Sequence, residues 1–448
     1  MESRRVSRRD FLQLGGLSTA GLLLAACDSG SGGNQVRIMV DAWALAYAPF
    51  KTMADQYNKA HPELQIKIEP SPGGWMTKVV GQIRSNKLQW NAAGVMTTFS
   101  DLTAWVQLGL VQPVDDLIKN SKESAAEQYL TDMLAKVKAD QMYEGKLYGI
   151  PFSVENITYQ WNTEWFGKAG VTQAPKTWQE LYDGCVEVKK YLAAQGKKDV
   201  YAFGFDLGSL CRNLGTLICG ATDVPYTSEG LIAWDSPEMR EALRFMRKMS
   251  RAGLTPPNGG EGVDIYDLWT RGRLAGLYSC SSRGVWAQKT LGFDKIVTSP
   301  VPTIDGQAHA GTVFWGNSLA ILNTAPMPQQ AMDFLLYAVG PQNTAWQQAI
   351  IQAGTSPAFT SAYANLIEAD PAYANYRWMT HVRDSVAASV PAPKNYFYPI
   401  ENEAWNKHRA EYMKDSSTQT EDELIANVLK TTSEMRAQVL KSVGTVVP

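Results

Sequence analysis

An α/β protein of more than one domain is predicted by three observations: alternating strand-like and helix-like segments, the chain length, and an ordinary globular balance of residues. Val36–Val40 reads as a strand that ends at Asp41-Ala42-Trp43. Phe50, Met53, Ala54 and Tyr57 follow at the spacing of one helix face, and that helix closes at His61-Pro62. Leu64–Glu69 alternates as a second strand, and Ser71-Pro72-Gly73-Gly74 turns into a helix from about Trp75 to Ser85. This order calls for a mostly parallel sheet flanked by helices, with ligands bound beyond the carboxyl ends of its strands. Of 448 residues, a leader of 26 leaves 422, too many for one hydrophobic core. Hydrophobic content of 45% with 19% charged residues fits a compact globular body.

The leader, residues 1–26, has its own chemistry. Ser7-Arg8-Arg9-Asp10-Phe11-Leu12 precedes the apolar stretch Leu14–Ala26, which ends Leu24-Ala25-Ala26-Cys27. An arginine pair before a short Gly- and Ala-rich apolar run reads as a twin-arginine export signal, because such a run cannot cross a bilayer core of roughly 30 Å. Small side chains directly before Cys27 fit a lipoprotein signal peptidase, and the Cys27 thiol would carry the lipid. Residues 27–35, rich in Gly and Ser, form a flexible tether. The expected location is the outer face of the cytoplasmic membrane, on the periplasmic or extracellular side.

Further along, Tyr143-Glu144-Gly145-Lys146 reads as a hairpin turn into the strand Leu147–Phe152. Thr177-Trp178-Gln179-Glu180 is a capping box, and Ser236-Pro237 starts a helix that ends near Gly253. Thr255–Gly260 is the clearest loop, and Pro326 and Pro328 open another helix. From Glu403 onward the pattern is helical. Cys185, Cys211, Cys219 and Cys280 remain after lipidation; Cys211 and Cys219 are the locally plausible disulfide pair, and Cys185 lies on an apolar stripe.

A net charge of −2 argues against a nucleic-acid partner. There is no His-Glu-x-x-His, Cys-x-x-Cys, phosphate-cradling Gly-x-x-x-x-Gly-Lys or Gly-x-Ser-x-Gly, and no metal or cofactor is implied. The aromatic inventory is the positive signal: 14 tryptophans beside 19 tyrosines and 13 phenylalanines exceed what cores alone suggest. Trp43, Trp75, Trp286 and Trp315 fall at strand ends or beside glycine, where a flat ring can line a cleft and stack on the C–H face of a sugar.

The run Tyr143–Ser153 resembles the extracellular solute-binding proteins of family 1, which serve carbohydrate ABC importers and include the maltose-binding type. Trp161-Asn162-Thr163-Glu164-Trp165-Phe166, Lys168–Val171 and Pro175–Leu181 continue the likeness, with Trp161 in the place of a tyrosine. Gly109–Asp116, Phe293-Asp294, Pro300-Val301-Pro302 and Ala331–Leu335 match in order, so the resemblance covers Val36–Val439. Two stretches depart from it, Ala93-Gly94-Val95 and the segment Gly272–Leu277 followed by Ser279-Cys280-Ser281-Ser282-Arg283-Gly284-Val285-Trp286. Both flank expected contact loops, so the sugar preference of relatives does not carry over closely.

The resemblance implies a two-lobed periplasmic-binding-protein fold of type II, with three hinge crossings near Ile150–Ser153, Thr298–Pro302 and Gly354–Pro357. Lobe one would comprise 36–150 and 303–352, and lobe two 151–301 and 356–448. It also implies a monomer that captures a carbohydrate between its lobes and passes it to ABC permease subunits driven by a cytoplasmic ATPase. The expected ligand contacts are Trp43, Trp75, Asp101, Glu155, Arg283, Trp286, Trp315 and Asn317, with Tyr396 and Tyr398 from lobe two. Asp101 also suits a helix N-cap, and Arg283 suits either a ligand carboxylate or a pair with Asp101 or Glu155. Two other readings stay open from the residues: an exported glycoside hydrolase, which needs only two carboxylates, and a binding module that serves a membrane sensor.

Overall fold

The computed structural model describes residues 34–443 except 72–74, 86, 97–100 and 394–397. The leader, Cys27, Tyr396 and most of the tether therefore lie outside the described residues.

Strands β1 (Gln35–Val40), β2 (Gln65–Pro70) and β3 (Ala92–Met96) form a parallel unit with β1 in the middle. β1 is accordingly apolar, with Val36, Ile38 and Val40 fully buried. β2 is the edge, so it alternates with polar residues and tolerates Pro70 at its end, where a missing N–H costs nothing. The short hairpin β4 (Met142–Tyr143) and β5 (Lys146–Leu147) turns through Glu144 and Gly145, both at positive φ. β6 (Gly149–Asn162), β7 (Gly276–Cys280), β8 (Ile296–Ser299) and β9 (Phe314–Ile321) complete the sheet in the order β2-β1-β3-β9-β6-β7, with β8 also on β6. Parallel pairing, expected for most of the sheet, is confined among the named strands to β1–β3; the pairings of β9 with β3 and β6, and of β6 with β7 and β8, are antiparallel.

The reason lies in β6. Its 14 residues are all buried and, at about 3.3 Å per residue, run roughly 45 Å, long enough to serve two cores. Residues 149–156 pair with β9, and residues 157–162 pair with β7 and β8. Val154 belongs to a core built on Val36, Ile38, Phe50, Phe334 and Trp346. Ile157 belongs to a second core around Tyr159, Trp178, Leu214, Met246 and Trp405.

Most local signals in the sequence are realised. Phe50, Met53, Ala54 and Tyr57 are the buried face of the helix Phe50–Ala60. Thr177 and Glu180 close a reciprocal capping box on α1 (Trp178–Ala194), and Ser236 caps α2 (Pro237–Arg251) through the Met239 amide. α3 (Ser281–Leu291) follows β7 directly. The C-terminal helical stretch is two helices, α4 (Tyr398–Met413) and α5 (Glu421–Val443). All four described cysteines are buried free thiols, so Cys211 and Cys219 form no disulfide.

The crossings between cores lie elsewhere than the sequence suggests. Val301, Ile304, Ala310 and Val313 pack on the second core, whereas residues 303–352 were expected to belong to lobe one. Ser356 pairs with Val154, and Ala358, Phe359, Val382 and Val386 pack on the first core, whereas 356–448 were expected in lobe two. The chain passes between cores at Val154–Ile157, at Val313–Leu319, where Phe314 already lies in the first core and Trp315 still in the second, and again at about 386–392, where Val386 lies in the first core and Ala392 against the second. These three passages are tied to one another. The Ile157 amide donates to Val313 O (3.0 Å) and the Thr312 hydroxyl to Ile157 O (3.0 Å). The Ser389 hydroxyl donates to Thr312 O (2.7 Å) and accepts from the Thr312 amide (3.1 Å). The backbone turns into this knot at Gly311, whose φ is +72°.

Candidate functional site

A strand buried on both faces must satisfy every polar side chain it carries. β6 carries Ser153 and Glu155 on one face, opposite Asn317 and Trp315 of β9 in register. Trp315 Nε1 donates to Asn317 Oδ1 (3.1 Å), and Asn317 Nδ2 donates to Ser153 Oγ (3.0 Å). The Tyr47 hydroxyl, just after the short helix Ala42–Leu45 that carries Trp43, lies 3.5 Å from Ser153 Oγ. Glu155 Oε2 accepts from the Ser281 hydroxyl (3.0 Å) and the Ser282 amide (3.4 Å) at the start of α3. Burial pushes the Glu155 carboxyl up, while hydrogen bonds from Ser282 and Ser281 and the Arg212 charge pull it back. The Tyr47 phenol is raised by burial, and Glu155 adds to that shift, which sets this first-core tyrosine opposite the second-core carboxylate.

The second-core wall continues through Arg212. Its Nη1 donates to Asp206 Oδ2 (3.1 Å) and reaches the Tyr266 hydroxyl (3.2 Å), which itself donates to Asp206 Oδ2 (2.7 Å). Arg212 sits on a wide turn in which the Gly215 amide bonds Leu210 O, five residues back. Such π-type turns recur where a side chain must be aimed. The buried Cys280 thiol is pushed up by desolvation, and it feels Glu155 in one direction and Arg212 and Arg283 in the other.

The expected contacts are placed as follows. Trp43 and Trp286 are each 41% exposed. Glu155, Trp315 and Asn317 lie together, buried on the paired strands β6 and β9. Trp315 was expected in a loop, yet it is 3% exposed within β9. Its neighbour Gly316 marks a close approach instead: a Cβ there would lie 2.3 Å from Gln141 Nε2. Tyr398, 8% exposed, spends its hydroxyl on Asn402 Oδ1 (2.9 Å) and Ser209 Oγ (3.2 Å) and serves the second core more than a ligand. Trp75 and Asp101 open helices as expected, but their side chains lie outside the described residues. Arg283 makes no ion pair with Glu155; it stacks on Trp286 and Tyr266. Sequence reasoning missed Tyr47, Ser153, Asp206, Arg212 and Tyr266. One charged residue inside the apolar run Leu210–Cys219 was a signal for Arg212.

A profile of the bacterial extracellular solute-binding proteins matches residues 52–375. This chain belongs to that family. The solute-binding protein is 24% identical over 274 residues to a relative from Brucella abortus (strain 2308) named only as a binding protein, covering 57% of this chain and 60% of that one. The chain thus spans well under two thirds of that relative's length. It is 24% identical over 340 residues to the lactose-binding protein of Rhizobium radiobacter, covering 73% of this chain and 76% of the relative. Its fold matches the sugar-binding protein MalE from Xanthomonas citri with a TM-score of 0.72 at 18% identity, over 91% of this chain and 99% of the other. The architecture is therefore the two-lobed one of MalE-type binding proteins.

Proposed function

We propose that this solute-binding protein captures a carbohydrate between its lobes and delivers it to an ABC permease, without turning it over. The observation that carries this reading is the pairing of β6 with β9, which sets Ser153, Glu155 and Asn317 together, with half-exposed Trp43 and Trp286 close in sequence to Tyr47 and Ser281, which reach them. Rings to stack on C–H faces and fixed acceptors and donors for hydroxyls are what a sugar requires. The names of the lactose-binding relative and of MalE support the class. Both acids on the wall are engaged in holding the site together: Glu155 by the start of α3, Asp206 by Arg212 and Tyr266. That favours binding over hydrolysis.

The lobes in this reading are 36–154 with 314–388, and 157–313 with 392–448, joined through the Ile157, Thr312 and Ser389 knot. Ligand would favour the closed state by its differential affinity, and that state would dock on the permease. A thermal-shift screen against mono-, di- and oligosaccharides tests the class: a ligand at 100 times its Kd adds about 2.7 kcal/mol of stability, and no shift with any sugar would overturn the reading. With the sugar so found, Trp286→Ala is expected to weaken binding by about thirtyfold, roughly 2 kcal/mol. Its melting temperature should barely move, because this ring is only part buried; unchanged affinity in a folded variant would remove Trp286 from the site.

We further propose the lipid anchor at Cys27 and export by the twin-arginine route. Cys27→Ser should free the protein from membranes or block its processing, whereas a processed, still membrane-bound variant would contradict the anchor. Replacing Arg8 and Arg9 by lysine should separately abolish export.

A further inference from the structure

We propose that the second-lobe wall selects a saccharide bearing an anionic group, gripped by Arg283 with Arg212 beside it. The inference rests on the carbohydrate reading of the cleft and narrows its substrate class. Arg283 and Trp286 are three residues apart on α3, hence on one face of the helix. The Arg283 guanidinium carbon lies 4.2 Å from the Trp286 ring centroid and 4.5 Å from that of Tyr266. Stacking uses the faces of a guanidinium and leaves its in-plane N–H fork for an acceptor. Among the described residues, no carboxylate comes within ion-pair distance of Arg283.

Three features make this cation conspicuous. It sits in the first turn of an eleven-residue helix, the end where positive charge is disfavoured, and that turn holds no acidic residue. A second guanidinium is near: Arg212 lies 5.9 Å from the same Tyr266 ring, and both charges act on Cys280. Arg212 Nε is a buried donor without a partner. The two acids within reach do not balance the pair. Asp206 is shared by Arg212 and Tyr266, and Glu155 Oε2 is taken up by the Ser281 hydroxyl and the Ser282 amide. The wall therefore presents more donors than acceptors, the reverse of what a neutral polyol selects. A uronate or a sugar phosphate supplies the missing oxygens, and a carboxylate meets the fork in two parallel hydrogen bonds.

The test is titration calorimetry of the purified protein at low and physiological salt. Galacturonate and glucuronate oligomers of one to three units would each be paired with their methyl esters. Glucose 6-phosphate and galactose 6-phosphate would be paired with the free sugars. At least one acidic probe should bind roughly tenfold or more tighter than its neutral partner, with the advantage shrinking as salt rises; the arm that responds tells uronate from phosphate. Arg283→Gln should erase that advantage, so that the acidic and neutral members of a pair bind alike, and Arg283→Lys should restore part of it. Neutral probes binding as well as acidic ones, or an acidic preference untouched in Arg283→Gln, would overturn this proposal and leave the carbohydrate reading standing. Failure of every probe, acidic and neutral, would overturn both.

Discussion

Replacing Gly311 by alanine is expected to destabilise the protein by about 2–4 kcal/mol, the sum of a left-handed backbone cost and overpacking. Gly311 has φ +72°, and a Cβ there would lie 2.8 Å from Ser389 Oγ and 2.9 Å from the Ser389 backbone nitrogen and Cα. A flexible side chain swings away from such a clash. The Ser389 backbone cannot move without breaking the bonds between its hydroxyl and Thr312. Because that contact joins two of the three passages between lobes, the damage should reach function as well. Gly311→Ala should shift ligand affinity and, measured by small-angle scattering with and without ligand, the extent of compaction on binding, although residue 311 is no candidate contact. Ser389→Ala should do so more mildly. Denaturant midpoints and affinities within error of wild type in both variants would show that the knot bears no load in closure.

Glu401 supplies the second large effect, through pH. It is fully buried on α4, accepting from Trp234 Nε1 (2.6 Å) and from the Ile232 amide (3.2 Å). Burial pushes its carboxyl up to about 8, with those hydrogen bonds and Arg436 pulling the other way. Unfolded, the same group titrates near 4.3. Between these values the folded state holds the extra proton, so the stabilisation is fully present below the lower pKa and is lost as pH rises toward 8. The span amounts to about 4–5 kcal/mol at 1.36 kcal/mol per pH unit. Urea unfolding of wild type should therefore weaken steadily from pH 5 to pH 9 relative to Glu401→Gln, which has no such proton to lose. Parallel pH profiles for the two proteins would mean that Glu401 is ionised throughout.

Much of the local fold was legible because its determinants are local. Thr177 and Glu180, Ser236 and Pro237, and the Glu144-Gly145 turn announce themselves within a few residues. The lobe boundaries were not. Proline-rich Thr298–Pro302 and the Gly354–Pro357 stretch look like borders, whereas the chain changes core within β6 near Ile157, with no turn residue to mark it, and beside Thr312 at the entry to β9. Their partner Ser389 is 77 residues from Thr312. The site divided in the same way. Glu155 and the run Ser281–Trp286 stood out through the family resemblance and the stretch where the chain departs from it. Tyr47 and Ser153 meet across 106 residues, and Arg212 and Tyr266 across 54, which no local pattern reveals. Trp315 was misplaced because a tryptophan beside glycine suggests an exposed loop; within β9 the glycine instead admits Gln141.

The pairing of β3 with β9 also constrains how the molecule is made. Ala92 waits for Ile321, and Met96 for Asn317, before the first lobe's sheet can close. At about 5–20 residues per second on the ribosome, that interval lasts roughly 10–45 s. Until then a three-stranded parallel unit presents one side of β3 unpaired, the kind of edge that recruits other chains. The strands of the second core, by contrast, emerge consecutively from 157 to 299, although that core still waits for Trp405 and Val428. Both halves of a nascent chain of this design therefore wait on late segments, and the exposed edge of β3 places its demand for a chaperone on the amino-terminal third.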